Sequence, residues 1–251
     1  MMSGAMKLHQ IALLPAFVLL SSGVAQAQDN QSAATSVDDR RANVSLAPLR
    51  IEMDGEQRAE TLRVLNPSSR AIGVQVRAFG WKQEAGEDVY FPSNAVMVSP
   101  SIITIDPGAT QIFRVVRRDQ PAEGERRFRV AIDQLPDPEL MRSGEAQARI
   151  RFTIPMFLDR ASATPVNMAW SIGPEGLRAT NSGQQTARMV NLSLTKANGE
   201  PLGVDTSGLY YVHGGSEKVW EFPGACSAGP ITITASIDDE EVNAQAINTC
   251  G

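Results

Sequence analysis

The chain has 251 residues, with 23 basic against 28 acidic side chains and a formal net charge of −5 at pH 7. Acidic overall, with its basic residues scattered, it lacks the electrostatic footprint of a nucleic-acid binder. Its only histidines are His9 and His213 and its only cysteines Cys226 and Cys250, too sparse a set for a four-ligand zinc centre. No metal, no cofactor and no catalytic residue is expected.

The N-terminus reads as an export signal: Lys7 supplies the positive end, Ile11 to Leu20 the apolar core interrupted by Pro15, and Ala25-Gln26-Ala27 a small-residue cleavage site. The apolar run is short of the roughly 18 to 20 residues a membrane span needs, so no stable membrane insertion is expected. Cleavage after Ala27 leaves roughly 220 residues, which suits two sandwich domains of about 100 residues each. Residues 28–42, polar and without period, read as a flexible leader.

From residue 43 the pattern changes to short β-branched or alternating runs bounded by turn residues. They are Val44 to Ile51, Glu60 to Leu65, Ala71 to Trp81, Ile102 to Ile105, Gln111 to Val116, Phe128 to Leu135 and Arg149 to Leu158. Asp54-Gly55, Asn66-Pro67 and Asp106-Pro107-Gly108 supply the turn chemistry between them. This spacing predicts an antiparallel sandwich over residues 43–160. The small and polar stretch Asp159 to Pro165 reads as a linker. A second set of strands fills residues 161–251: Val166 to Ile172, Gly176 to Ser182, Ala187 to Thr195, Leu209 to Val212, Lys218 to Phe222, Ile231 to Ile237, and a last one from Val242 into Cys250. The fold class is therefore all-β, with two immunoglobulin-like sandwiches. Cys226 and Cys250, in an exported chain, are expected to pair, and His213 is expected in a surface loop before Gly214-Gly215.

An ordered series of motifs runs along both halves. The first holds Pro48-Leu49-Arg50-Ile51, Leu62 to Asn66, Gln75-Val76-Arg77, Trp81, Ser99-Pro100, Ile105 to Arg117, Phe128-Arg129-Val130, Leu135-Pro136 and Arg151 to Phe157. The second holds Asn181-Ser182-Gly183, Ala187-Arg188, Asn191-Leu192, Tyr211 to Ser216 and Trp220. This series resembles the periplasmic chaperones of the chaperone-usher family, in particular the branch serving pili built from spore-coat-U-like subunits.

The resemblance implies a periplasmic protein whose partners are pilin subunits and an outer-membrane usher. Such a chaperone donates the last strand of its first domain to a subunit sandwich that lacks one, covering an apolar groove that otherwise aggregates. In the matching segment Ala148, Ile150, Phe152 and Ile154 fall on one face of a period-two strand and Arg149, Arg151 and Thr153 on the other. The same alternation equally suits a strand that packs its own core.

The family also anchors the subunit's terminal carboxylate with cations between the domains. Arg50 matches the first, and a guanidinium suits a carboxylate because it donates in a fixed fork and keeps its charge. Where the family has a lysine this chain has Pro155, leaving Arg114, Arg117, Arg149 and Arg151 as substitutes. The cysteine pair resembles a second-domain disulfide of many members.

Two other readings stay open at this level. The consecutive acids Asp238, Asp239, Glu240 and Glu241 raise a hydrolase, against which a solvated hairpin turn is the plainer account. A structural or adhesive extracellular sandwich protein, or a pilus subunit itself, is the other.

Overall fold

The computed structural model describes residues 44–136 and 150–251. The expected signal (1–27), the leader (28–42), Ala148 and Arg149 lie outside the described residues. Within them the chain is built from strands and two short 3-10 turns.

The first sandwich holds β1 (Ser45–Ala47), β2 (Ile51–Met53), β3 (Ala59–Leu65), β4 (Ile72–Glu84) and β5 (Glu87–Pro92). It continues with β6 (Val96–Ser99), β7 (Ile102–Ile105), β8 (Thr110–Arg117), β9 (Arg126–Gln134) and β10 (Arg151–Leu158). One sheet runs β1-β3-β8-β6 and the other β2-β10-β9-β4-β5, with β7 also on β4. The run Val44 to Ile51, expected as one strand, is two. Pro48 has no N–H for a ladder and a fixed φ, and the chain crosses there from the first sheet, where β1 pairs with β3, to the second, where β2 lies parallel to β10. Strands β5 and β6 were not expected: β5 exposes nearly all its side chains, so it carries no apolar alternation.

Alternation places Leu62, Val64, Phe113 and Val115 of one sheet against Val74, Val76, Phe128, Val130, Ile132, Met156 and Leu158 of the other. All are nearly sealed from solvent, at about 1.5 to 3 kcal/mol per large side chain before ordering costs.

The second sandwich contains β11 (Met168–Gly173), β12 (Gly176–Asn181), β13 (Ala187–Lys196), β14 (Tyr210–Val212), β15 (Glu217–Glu221), β16 (Ile231–Ile237), β17 (Glu240–Gln245) and β18 (Ile247–Asn248). Its sheets run β15-β12-β11-β18 and β14-β13-β16-β17. The single last strand expected from Val242 is again two, β17 on β16 and β18 parallel to β11. Each sandwich pins one loop with a fully buried asparagine. Asn66 Nδ2 donates to the carbonyls of Arg70 (2.7 Å) and Ile105 (3.0 Å), and Asn181 Nδ2 to those of Gln185 (2.8 Å) and Val212 (3.0 Å).

Cys226 and Cys250 are bonded, with Cα atoms 5.6 Å apart across 24 residues. The bond fastens the turn Ala225–Ser227 to the chain just after β18. Closing a loop of this length removes about 3 kcal/mol of unfolded-state freedom. Replacing both cysteines with alanine should lower the stability of the second sandwich by about that amount in urea titration, leaving the first unchanged.

Candidate functional site

The stretch Asp159 to Pro165 is not a loose connection. Asp159, with φ at 60°, and Arg160 are both buried. The Asp159 carboxylate accepts from Arg117 Nη1 (2.8 Å) and Nη2 (2.7 Å), from Arg126 Nη2 (2.9 Å) and from the N–H of Ala122 (3.1 Å). Burial opposes its charge, but these donors hold the carboxyl below the usual aspartate range. Arg117 also donates to the carbonyls of Gly55 and Gln120, and its side chain is fully buried. That corrects its expected role: Arg117 is consumed by the first sandwich. Arg114 is corrected as well, because it lies exposed on the β1-β3-β8-β6 sheet, paired in register with Thr61 and Ser99, on the layer away from β10.

The outward face of the β2-β10-β9-β4-β5 sheet carries Phe157, Arg127, Arg129 and Trp81, and against it sit residues of the second sandwich. Trp81 meets His213 edge-on at 4.2 Å between ring centres and Tyr211 at 5.2 Å. The Arg129 guanidinium lies 3.8 Å over Trp81 and 4.6 Å from Tyr211. The side chain of Gln83 donates to the carbonyl of Tyr211 (2.8 Å) and accepts from the N–H of His213 (2.9 Å). Glu125, buried, accepts from the N–H and hydroxyl of Thr186, from Arg127 and from Arg160.

His213 is thus not in a surface loop. It is 1 % exposed, and close approach at the next residue permits this: a Cβ on Gly214 would stand 2.3 Å from the carbonyl oxygen of Gln184. Burial, with Arg127 and then Arg129 nearby, pushes its pKa down to about 3. The folded chain therefore holds it neutral while the unfolded chain protonates it near 6.5. Its contribution is complete above that value and is lost as the pH falls from about 6.5 toward 3. Wild type should lose about 2 kcal/mol more than His213→Leu between pH 7.5 and pH 5 in urea titrations; equal losses would overturn this account.

Strand β10 borders this seam. It pairs with β9 from Arg151 to Leu158, but with β2 only from Met156 to Leu158. Among the described residues, Arg151 to Pro155 have no strand on the β2 side. Burial changes along the shared face. Ile154 is 3 % exposed within the chain's own core, Phe152 is half-buried at its margin, and Ile150 is half-buried and outside it. Ile154 is therefore corrected to a core residue, because the sandwich closes over it. Arg151, on the other face, is exposed and donates to Asp133, which also accepts from Arg77 at 2.7 Å.

Arg50 leads into β2 and lies half-buried where the sandwiches meet, 4.8 Å over the ring of Phe157, with Glu52 and Asp238 as ion-pair partners. Arg160, not singled out in the sequence, approaches the same ring at 5.5 Å and the same acids, Glu52 (3.9 Å) and Asp238 (3.3 Å). Pro155 is paired with Arg129 in register, yet Arg129 turns toward Trp81. Asp238 and Asp239 form the β16–β17 turn with φ of 47° and 71°, while Glu240 and Glu241 begin β17. Among the described residues no cluster of acids, histidines and cysteines suits a metal, and no helix is long and apolar enough to cross a membrane.

The model of the pili and flagellar-assembly chaperones, PapD N-terminal domain, matches residues 43–161. The first sandwich, residues 43–161, is the part of the chain that this chaperone-domain model matches. In the chaperone–tip-adhesion-subunit complex CsuC–CsuE, from the archaic Csu pili of Acinetobacter baumannii, the matching chain is 20% identical with a TM-score of 0.66, over 83% of this chain and 100% of that one. The Salmonella enterica complex of the SafA pilin with the SafB chaperone gives 21% and 0.60, over 82% and 97%. The E. coli chaperone DraB gives 18% and 0.59, over 81% and 96%. No curated protein matches the sequence at a significant level. The sequence match is thus confined to the first sandwich, and the likeness of both sandwiches to solved pilus chaperones is one of fold. Fold and family match proteins that assemble pili without catalysis.

Proposed function

We propose that this chaperone captures incomplete pilin subunits in the periplasm by donating β10 and its upstream extension, and passes them to an outer-membrane usher. The observation that carries the reading is the coincidence of two properties on one strand. Among the described residues, backbone from Arg151 to Pro155 has no strand on the β2 side, and the apolar face that is sealed at Ile154 emerges from the core at Phe152 and Ile150. An open edge supplies main-chain hydrogen bonds to an added strand, and alternate side chains enter its pockets. Ile150 and Phe152 are the client-facing residues, continued by Ala148. Two of the three solved chains described above come from complexes with a pilin or a tip-adhesion subunit, which supports pilin clients, and the archaic Csu system is compatible with the spore-coat-U-like branch.

Arg50 is the cation for the client's terminal carboxylate: it is half-exposed where the open edge of β10 ends against β2, and the ring of Phe157 supports its guanidinium. Arg151 is exposed but already committed to Asp133. The signal is cleaved after Ala27, residues 28–42 precede the folded part, and the division between domains falls at 160/161. The protein is not an enzyme: His213 is sealed against Trp81, and Asp238 and Asp239 serve a turn.

The test is co-expression with the small exported β-proteins encoded beside it. At least one becomes soluble only in the presence of this chain, in a one-to-one complex. If every such protein is equally soluble without it, the reading fails.

A further inference from the structure

One carboxylate of the second sandwich reaches the proposed anchor across the domain seam. Asp238 Oδ1 lies 3.6 Å from Arg50 Nη1, an ion pair too long for a hydrogen bond. Its Oδ2 accepts a 3.3 Å bond from Arg160 Nη2, and its own N–H donates to the carbonyl of Arg188 at 2.8 Å. Oδ1 also accepts from the N–H of Arg188 at 3.3 Å, so turn backbone and carboxylate are both held, with the carboxylate at the edge of Arg50's reach.

We propose that Asp238 is an internal stand-in for the client's terminal carboxylate, facing Arg50 while the site is empty and yielding that position when a client binds. The proposal rests on the reading of Arg50 as the carboxylate anchor. Three features support it. Glu52 already holds Arg50 in a hydrogen-bonded ion pair, and Asp238 adds a second carboxylate at 3.6 Å without a hydrogen bond, so of the two it is the one a closer acceptor displaces readily. Asp238 keeps Arg160 and the Arg188 backbone after the exchange, so no buried charge is left without a partner. Both aspartate and Arg50 side chains are 29% exposed, so an incoming carboxylate reaches the pair from solvent. The consequence is a preference setting: competition from Asp238 lowers the affinity for any free carboxylate at Arg50, and occupancy of Arg50 loosens one tie between the sandwiches by the same factor.

The probes are a short alternating Val-Thr peptide with a free C-terminal carboxylate and its amidated twin, titrated calorimetrically against the purified mature protein. The quantity read is the affinity ratio of the free to the amidated form. Asp238→Asn, which keeps a residue tolerant of positive φ, raises that ratio about two- to fivefold, the range for an exposed ion pair. Asp239→Asn removes the same charge one residue away and leaves the ratio unchanged. Arg50→Ala erases the ratio, and Asp238→Asn adds nothing in that background. A ratio that stays or falls in Asp238→Asn, or rises equally in Asp239→Asn, overturns the stand-in while leaving the anchor intact. If Arg50→Ala keeps the ratio, the anchor fails and the stand-in with it.

Discussion

Ile150→Asp is expected to abolish client protection while leaving the chaperone folded. Ile150 lies just before β10 and is absent from the residues that pack the first core, so its loss removes little from the chain itself. In the complex the same side chain enters an apolar pocket. Losing its burial there costs about 1.5 to 3 kcal/mol, and placing an unpaired carboxylate in the pocket costs several more. Together these lower client affinity by at least about a hundredfold. The measurement is the soluble client fraction on co-expression, with circular dichroism and a thermal scan of the variant alone. Phe152→Asp loses protection too, but it also unsettles the margin of the core, where Phe152 packs. A variant at Ile150 that remains folded and still keeps its client soluble would remove β10 as the donated strand.

The second large effect is on stability. Asp159→Asn should weaken the first sandwich by about 3 kcal/mol, because it removes the hydrogen-bonded counter-charge of the fully buried Arg117 guanidinium and leaves only the more exposed Asp119 at 3.5 Å. Asparagine tolerates the left-handed backbone at this position, so the loss reports charge and hydrogen bonding rather than strain. Urea titration at neutral pH reads it directly. The carboxyl is held below the usual aspartate range, so its contribution is present above the unfolded value and disappears only as the pH falls through the lowered one. Wild type and variant should therefore converge in strong acid and differ fully at neutral pH; a difference under about 1 kcal/mol at neutral pH would place Asp159 among ordinary surface pairs.

Period-two alternation and turn chemistry are local properties, and they were enough to mark most strands and both sandwiches, while the cysteine pair followed from the expected export of the chain. The strands that escaped have local reasons. β5 is exposed on both faces, and Pro48 and the break between β17 and β18 let one apolar run serve two sheets. Arg50 was singled out through its motif, and the face of Ile150 and Phe152 through its alternation, as the candidates whose roles are proposed above.

An arginine's role was not legible, because charge and spacing do not reveal which acid lies opposite. Only the packed chain puts Asp159 against Arg117, turns Arg114 to the far layer, and brings Arg160 and Asp238 to Arg50. Nor does a period-two pattern say where a core ends: Ile154 and Ile150 sit on the same face and differ only in what the folded sandwich closes over. His213 beside two glycines reads as a loop until the second sandwich presses it onto Trp81. The sequence by itself determined which backbone segments extend and which side chains seek burial, since both depend on near neighbours. Tertiary structure alone decided which charges are spent within the fold and which edge has no neighbouring strand among the described residues, since those depend on residues distant along the chain.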